Sequence, residues 1–255
     1  MRLENKVAIV TGAGRGIGQA IATLFAEEGA KALVVDWNRE TGAATAAAIQ
    51  AAGHTARFYY ADVSQAGDVE AMVRAAVSEW GRLDILVNNA AIQVVARLVE
   101  TTEEDWDRLH SVNLKGVFFG CKYAIPEMLR AGGGAIVNIA SVLGLVGDPE
   151  LAAYCAAKGG VITLTKAAAL TYGPQGIRVN AICPGDVDTP MAREYFEAAP
   201  DPAALRREID SKYALRRIAS PREIAEAALF LASDASSFMT GAALVVDGGL
   251  LSKCY

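Results

Sequence analysis

Tyr154 and Lys158, four residues apart in the stretch YCAAK, are a pair whose side chains could move a proton together. If the stretch is helical, the phenol and the ammonium lie on the same face, one turn apart. A tyrosine with its ordinary pKa near 10 is a poor base at neutral pH, but a neighbouring cation favours the phenolate. Because roughly 0.25 such pairs are expected by chance in a chain of this composition, the surrounding segments must decide whether this one does chemistry.

The elements that must position the pair are short apolar runs alternating with helical patterns. Strands are predicted at 6–10, 31–36, 55–60, 84–89, 134–140, 177–183 and 242–247. Helices are predicted at 16–28, 39–52, 65–80 and 102–130, and around Tyr154. Apolar, β-branched strands that alternate with helices are typical of a parallel sheet covered on both faces. The pattern therefore predicts an α/β fold: a doubly wound, Rossmann-type domain with about seven parallel strands and helices on both faces.

The domain organisation predicted from the sequence is a single domain over residues 1–255. A chain of this length with 53% hydrophobic residues suffices for one large core. No linker, repeat or shift in composition divides it. The segment 189–213 is the least strand-like, and its length and prolines predict a helical lid over a substrate site.

Charge and residue usage exclude several classes of protein. A net charge of −5, from 24 basic and 29 acidic residues, argues against nucleic acid as the main partner. His54 and His110 are far apart and match no zinc pattern, so no metal centre is predicted. The 4 cysteines show no CxxC spacing and indicate free thiols in a reducing compartment. No membrane span or secretory signal is recognisable, and we expect a cytoplasmic protein.

A glycine-rich turn, TGAGRGIG at 11–18, follows the first predicted strand and opens a helix. It fits the pattern T-G-x-x-x-G-x-G, with Gly12, Gly16 and Gly18. Small residues let the backbone approach a pyrophosphate, and the N–H groups and positive end of the helix face it. The turn predicts a nucleotide-binding site.

Asp36, at the end of the second predicted strand, bears on the choice of nucleotide. A carboxylate there can accept hydrogen bonds from the adenosine ribose and repels a 2′-phosphate, by roughly 1–4 kcal/mol for a close pair. Asp36 therefore favours NAD over NADP. Arg15 and Arg39 instead favour NADP, because a guanidinium near the ribose could hold that phosphate.

Along essentially its whole length the sequence resembles the short-chain dehydrogenase/reductase family. The motifs that carry the resemblance occur in the family's order and are TGAGRGIG (11–18), DV (62–63), NNAA (88–91), Asn113 in SVNLKG, Ser141 in IAS, YCAAK (154–158), PGDVDTP (184–190) and VVDGG (245–249). Two positions depart from the family's usual pattern. Ala91 replaces a glycine, and Asp186 stands where an uncharged residue is commoner.

The resemblance implies roles for individual residues. Ser141, Tyr154 and Lys158 would be the catalytic set, with Asn113 in a proton relay; Asn88 would hold the sheet edge and the cofactor. The residues expected to bind the cofactor are Gly12, Arg15, Gly16, Ile17, Gly18, Asp36, Asp62, Val63, Asn89, Ala90, Tyr154, Lys158, Pro184, Gly185, Val187 and Thr189.

The chemistry implied is removal of hydride from a secondary alcohol, with Tyr154 as the base. Bringing a phenol from a pKa near 10 to near 7 takes roughly 4 kcal/mol of preference for the phenolate. We expect the Lys158 ammonium and an oxidised nicotinamide ring to supply it. Ser141 would hold the substrate oxygen, and Asn113 would kink its helix and hold a water that links Lys158 to solvent.

These expectations together predict an enzyme, an NAD-dependent oxidoreductase that reversibly converts a hydroxylated small molecule, such as a polyol, sugar or cyclic alcohol, to a ketone. Candidate substrate contacts are Gln93, Glu150, Asp186 and Arg193. The alternatives are oxidation of a 3-hydroxy acid paired with Arg193, and reduction of a ketone or 3-oxoacyl thioester with NAD(P)H. A third alternative is a nucleotide-sensing protein without catalysis. The resemblance also implies a homotetramer, formed through 102–130, 154–172 and 242–249.

Overall fold

A central parallel sheet of seven strands organises the computed structural model of the chain, which describes residues 1–252. The strands lie in the order β3-β2-β1-β4-β5-β6-β7. Their bounds are β1 Val7–Thr11, β2 Lys31–Asp36, β3 Ala56–Tyr60, β4 Ile85–Asn88, β5 Gly134–Ile139, β6 Ile177–Pro184 and β7 Ala243–Val246. The predicted doubly wound sheet is confirmed, and the predicted strands coincide with the observed ones to within about a residue at either end.

Helices cover both faces of this sheet. Their bounds are α1 Gly16–Glu27, α2 Arg39–Ala51, α3 Ala66–Trp80, α4 Glu103–His110, α5 Gly116–Arg130, α6 Ala152–Tyr172, α7 Pro190–Glu197, α8 Pro202–Lys212 and α9 Pro221–Ala232. One apolar core joins α1, α2 and α9 to the sheet, and a second joins α3, α5 and α6 to its other face. Every residue of β1 and β4 is buried, which explains why these strands read as unbroken apolar runs.

The strand order reverses between β1 and β4. Chain from β1 turns outward to β2 and β3, whereas β4 leads to β5, β6 and β7 on the other side. At such a reversal, the loops at the carboxyl ends of neighbouring strands diverge and leave a crevice. The glycine-rich turn follows β1, the NNAA motif ends β4, Ser141 follows β5 and the PGDVDTP motif ends β6. Each candidate segment therefore emerges at this one edge of the sheet.

The helix α9 was not predicted from the sequence. It packs on α1 and buries Ile224, Ala228 and Leu229. Its start carries a capping box, in which the carboxylate of Glu223 accepts a hydrogen bond from the backbone N–H of Ser220 at 2.8 Å. Pro221 occupies the first turn. This start signal was present in SPRE, followed by the apolar run IAEAALFLA, and would have identified the helix.

The predicted helix over 102–130 is interrupted. Between α4 and α5, residues Ser111–Lys115 form a π-helical turn. Such a turn contains one residue more than the α-helix would and is frequent at functional sites. Asn113, expected to kink the helix, lies inside this turn and is completely buried.

Three negative observations concern residues 1–252. No helix there is long and apolar enough to cross a membrane. No group of histidine, cysteine, aspartate and glutamate side chains in that range could hold a metal ion. Cys121, Cys155 and Cys183 are free thiols, while Cys254 lies outside the described residues.

Candidate active site

The turn between β1 and α1 packs too tightly for any residue but glycine at two of its positions. Gly12 has a φ of +62°, and a Cβ there would lie 2.8 Å from the Cα of Ala90. A Cβ on Gly18 would lie 2.2 Å from the carbonyl oxygen of Gly12. The side-chain amide of Asn89 donates to the carbonyl oxygens of Thr11 (2.9 Å) and Gly12 (3.0 Å). Asn89 thus holds the turn against the end of β4. Its effect on a bound nucleotide would be indirect, through the position of this turn.

The start of α1 fits an anionic group of a dinucleotide. Arg15 at the start of α1 gives no side-chain cap to the first turn, as is also true of Gln65 at α3 and Leu151 at α6. The first N–H groups of α1 are therefore open to an external acceptor, which the positive end of the helix favours if it is negatively charged. Ile17 and Gly18 lie in this first turn.

Asp36 is a buried carboxylate with two fixed partners. It is 6% exposed, and its oxygens accept from the backbone N–H of Gly14 (2.8 Å) and of Asn38 (2.8 Å). Asp36 is therefore not a turn residue whose carboxylate lies in water. Each carboxylate oxygen keeps a second lone pair for a further donor.

The guanidinium groups that could have opposed Asp36 have other partners. Arg15 pairs with Glu194 of α7 at 3.0 Å, and Arg39 lies over the ring of Tyr60 at 4.0 Å. Near the third strand, the backbone N–H of Asp62 donates to Asp68, and buried Val63 lies against Gly116. Arg15 and Arg39 thus each have a partner other than Asp36.

Lys158 is the centre of the catalytic candidates. It is 2% exposed and donates from Nζ to the carbonyl oxygen of Ile139, at the end of β5, at 2.7 Å. The same Nζ lies 5.5 Å from the centroid of the Tyr154 ring, one turn back along α6. Ser141, just after β5, accepts from the N–H of Leu143 at 3.1 Å. It also lies near enough to the phenol of Tyr154 to favour its ionised form. Strand end and helix therefore bring Ser141, Tyr154 and Lys158 together.

Burial shifts the two titratable groups in opposite directions. It lowers the pKa of Lys158 from 10.5 to about 8 and raises the pKa of Tyr154 from 10.0 to about 12, although Ser141 opposes the second shift. An ammonium with a pKa near 8 has lost its charge before a phenol with a pKa near 12 ionises. The expectation was that Lys158 and an oxidised nicotinamide ring together favour the phenolate, and it stays a prediction, because the second of these cations comes with the cofactor.

Asn113 connects the π-helical turn to the loop after β4. Its Oδ1 accepts from the N–H of Ile92 at 2.9 Å, and its Nδ2 donates to the carbonyl of the same residue at 2.8 Å. Asn88, one strand end away, instead donates to Asn138 at 2.8 Å in the buried sheet. Both side chains hold the walls of the site in place, Asn113 from the helix and Asn88 from within the sheet.

The PGDVDTP segment joins the glycine-rich turn to the beginning of α7. Thr189 caps α7, and its Cγ2 would lie 3.3 Å from a Cβ on Gly16. Val187 is buried and forms a bridge with Ala219. Gly185, one residue after Pro184, lies against the ring of Tyr213. The start of the predicted lid therefore contacts the predicted nucleotide turn directly.

The four substrate candidates have different surroundings. Arg193 is paired with Asp188 through its Nε at 2.9 Å, and its side chain is otherwise largely exposed. Glu150 is exposed, and its carbonyl accepts from the N–H of Ala96 across the mouth of the site. Gln93 is half-buried in the loop after β4. Asp186 accepts a hydrogen bond from the hydroxyl of Tyr213, and nothing in the sequence predicted this contact.

Comparisons with known proteins agree with this geometry. Residues 12–251 match the family model described as enoyl-(acyl carrier protein) reductase. The chain is 42% identical to the meso-2,3-butanediol dehydrogenase of Serratia marcescens over 98% of this chain and 96% of that one. It is 41% identical to a 3-oxoacyl-[acyl-carrier-protein] reductase of Thermotoga maritima over 98% and 100%. A Burkholderia xenovorans protein described as a short-chain dehydrogenase/reductase superposes with a TM-score of 0.96, at 39% identity, over 100% of this chain and 99% of the other.

The buried ammonium of Lys158 makes the stability of the protein depend on pH. Between pH 8 and 10.5 the unfolded chain still binds a proton that the folded chain has lost, so stability rises with pH in this window. We expect the unfolding free energy of the wild type, relative to Lys158→Met, to increase by about 3 kcal/mol from pH 7 to pH 10.5. Urea denaturation without nucleotide at both pH values measures this difference.

The control for loss of a lysine as such is Lys166→Met, at an exposed position of the same helix. A difference between the wild type and Lys158→Met that stays constant from pH 7 to pH 10.5 would contradict the shifted pKa of Lys158.

Proposed function

The chain belongs to the short-chain dehydrogenase/reductase family, and we propose that it is an NAD-dependent dehydrogenase that reversibly oxidises a secondary alcohol of a polyol, sugar or cyclic hydroxylated compound to a ketone. The observation that supports this most directly is the joint placement of Ser141, Tyr154 and Lys158 at the carboxyl edge of the sheet. The similarity to the meso-2,3-butanediol dehydrogenase of Serratia marcescens supports a substrate with more than one hydroxyl group.

In this proposal the protein positions the alcohol and removes its proton. The hydroxyl of Ser141 donates to the substrate oxygen, while the ionised oxygen of Tyr154 takes the hydroxyl proton and becomes the neutral phenol. Lys158, held by the carbonyl of Ile139, keeps a positive charge near the phenol below about pH 8. Asn113, fixed to Ile92, would hold the water through which Lys158 exchanges protons with solvent.

The dinucleotide would be held by the glycine-rich turn, the open N–H groups of α1, Asp36, Asn89 and the PGDVDTP segment. When bound, oxidised NAD supplies the hydride acceptor and a positive ring charge. The protein's part is to orient it, with Thr189 and Gly16 in contact where α7 begins. The helices α7 and α8 would close over the substrate as a lid.

Reduction of a 3-oxoacyl thioester is the second candidate. The 41% identical reductase of Thermotoga maritima and the description of the family model favour it. Asp36 counts against it, since such reductions commonly use NADPH and a buried carboxylate repels the 2′-phosphate. A nucleotide sensor without catalysis is disfavoured because it would not need the set Ser141, Tyr154 and Lys158. The free thiols Cys121, Cys155 and Cys183 suit the cytoplasmic location that forms part of the proposal.

We further propose a homotetramer built from the regions 102–130, 154–172 and 242–249. The strand β7 lies at an edge of the sheet, and large apolar side chains near it face solvent in the single chain. Leu170 of α6 is 81% exposed, and Phe238, just before β7, is fully exposed. Gly241 approaches Ala169, so this edge and the end of α6 are adjacent. An unpaired edge flanked by apolar side chains suits a contact with a second copy.

Tyr154→Phe keeps the ring and removes the acid–base oxygen. We expect it to reduce NADH formation from the active alcohols by at least about a hundredfold, because the oxygen of Tyr154 is the group that takes the hydroxyl proton in this proposal. Absorbance of NADH during incubation with NAD and a panel of polyols, sugars, cyclic diols and hydroxy acids measures this. Equal turnover by the wild type and Tyr154→Phe would contradict the role of Tyr154, and activity only with NADPH and ketones would favour the reductase.

The carboxylate of Asp36 should set the preference between the two reduced dinucleotides. We expect NADH to bind at least about tenfold more tightly than NADPH, and Asp36→Asn to reduce that ratio, because the repulsion of the 2′-phosphate is removed. Fluorescence titration gives both affinities. The ratio is the readout, since damage to the turn would weaken both dinucleotides alike. Asp234→Asn removes the same charge far from the site, and an unchanged ratio in Asp36→Asn would disprove the assignment.

The exposed edge of the sheet predicts the oligomeric state. We expect light scattering to give four times the chain mass of 26.7 kDa for the wild type, and a smaller species for Phe238→Arg, because a charge would be buried in the contact. Leu98→Arg, at another exposed apolar position, is the control and should leave the mass unchanged. A monomeric wild type would refute the tetramer.

A further inference from the structure

Asp186 and Tyr213 form a doubly hydrogen-bonded unit beside the catalytic residues. The hydroxyl of Tyr213 donates to Oδ2 of Asp186 at 2.7 Å, and the backbone N–H of Asp186 donates to the same hydroxyl at 2.6 Å. Asp186 is also held through its backbone, because its carbonyl accepts from the N–H of Ala219 at 3.0 Å. Both the position and the orientation of this carboxylate are therefore fixed by neighbouring groups.

Tyr213 is itself immobilised. It follows α8, is 2% exposed, and lies between two glycines that leave no room for a side chain. A Cβ on Gly185 would lie 2.9 Å from Cε1 of the ring, and a Cβ on Gly248 would lie 3.3 Å from Cδ1. The ring thus connects the end of the predicted lid to the ends of β6 and β7. Its packing holds the hydroxyl in one place, and the hydroxyl in turn holds the carboxylate of Asp186.

The other oxygen of Asp186 is available to a ligand. No donor among residues 1–252 reaches its Oδ1, and the residue is exposed. Its negative charge acts on the catalytic group, where it adds to the rise in the pKa of Tyr154. It also adds to the raised pKa of Tyr195 in α7. Asp186 lies two residues beyond β6, and Ser141 lies two residues beyond the neighbouring parallel strand β5, so the open oxygen is at the edge of the sheet that carries the catalytic candidates.

Other charges near Tyr195 do not cancel that of Asp186. Burial, Glu150 and Asp148 raise the pKa of Tyr195, whereas Lys212 lowers it. Neither Glu150 nor Asp148 has an ion-pair partner among the described residues. The cations of this region are compensated by neighbouring acids, in the pairs Arg193–Asp188, Arg206–Asp210 and Lys212–Glu208. A ligand that enters between α7 and the loop before α6 therefore meets a net negative field.

We propose that Asp186, positioned by Tyr213, selects the substrate by charge: alcohols with an ammonium beside the reacting carbon are used best, diols next, and alcohols with a carboxylate there least. This proposal rests on the proposed function. A fixed carboxylate oxygen accepts a hydrogen bond from an ammonium or a second hydroxyl, and it repels an anion placed at the same distance. Tyr213 is a positioning residue, since it touches Asp186 and not the substrate.

Three substrates that differ in one group test the proposal: 1-aminopropan-2-ol, propane-1,2-diol and lactate, or the same three substituents on a cyclohexanol ring if the alcohol panel favours rings. We expect kcat/KM to fall in that order for the wild type. Asp186→Asn is nearly isosteric and can still accept from Tyr213. It should reduce the ratio of amino alcohol to hydroxy acid by at least about tenfold, through KM.

Tyr213→Phe leaves the charge and removes its positioning. It should lower the preference for the diol over propan-2-ol, again through KM, while kcat with propan-2-ol is retained. In the background of Asp186→Asn, the same change should have little further effect on this preference, because the two residues act as a unit. A role in stability alone would instead lower the rates with every substrate by the same factor.

The possible outcomes separate this proposal from the proposed function. Turnover that depends on Tyr154, without the expected order of the three substrates or with the same order in Asp186→Asn, would overturn the charge selection alone. Absence of turnover with every alcohol would overturn the proposed function and this proposal with it.

Discussion

The site depends on one buried contact, the hydrogen bond from the ammonium of Lys158 to the carbonyl of Ile139. It joins the last residue of β5 to the second turn of α6, and so sets the distance between Ser141 on the strand side and Tyr154 on the helix side. Removing an ammonium from water is costly, and the contact offsets only part of that cost, as the lowered pKa of Lys158 indicates. The protein therefore keeps a cation where packing alone would have placed an apolar residue.

The opposite shifts of Lys158 and Tyr154 have a common cause. Each group loses hydration, and each therefore favours its neutral form. A positive charge brought beside Tyr154 by a ligand would favour the phenolate, which is the form that can accept a proton. Tyr154 is thus ionised more readily when that ligand is present.

Much of this arrangement could be predicted from the sequence because its signals are local. The alternation of apolar strands and helices, the spacing of glycines in 11–18 and the interval between Tyr154 and Lys158 each depend on residues near one another in the chain. The helix α9 was not predicted, although its signals are local as well: a capping box at Ser220 and the apolar run that follows it. The unit of Asp186 and Tyr213 could not have been predicted, since 27 residues separate its partners and only the packing around Gly185 and Gly248 brings them together.

The π-helical turn at Ser111–Lys115 has a consequence for the two helices that it joins. Leu109 of α4 packs with Ala153 and Ala157 of α6, whereas Val117 and Cys121 of α5 pack on the sheet. Each residue of a helix advances the direction of its side chain by about 100°. The one extra residue of the turn therefore changes the angle between the apolar face of α4 and that of α5. This change lets one continuous helical segment pack α4 against α6 and α5 against the sheet. Loss of one residue here would rotate the half of the helical segment that carries α4 away from α6, so deletion in the π-helical turn should be more damaging than substitution at its positions other than Asn113.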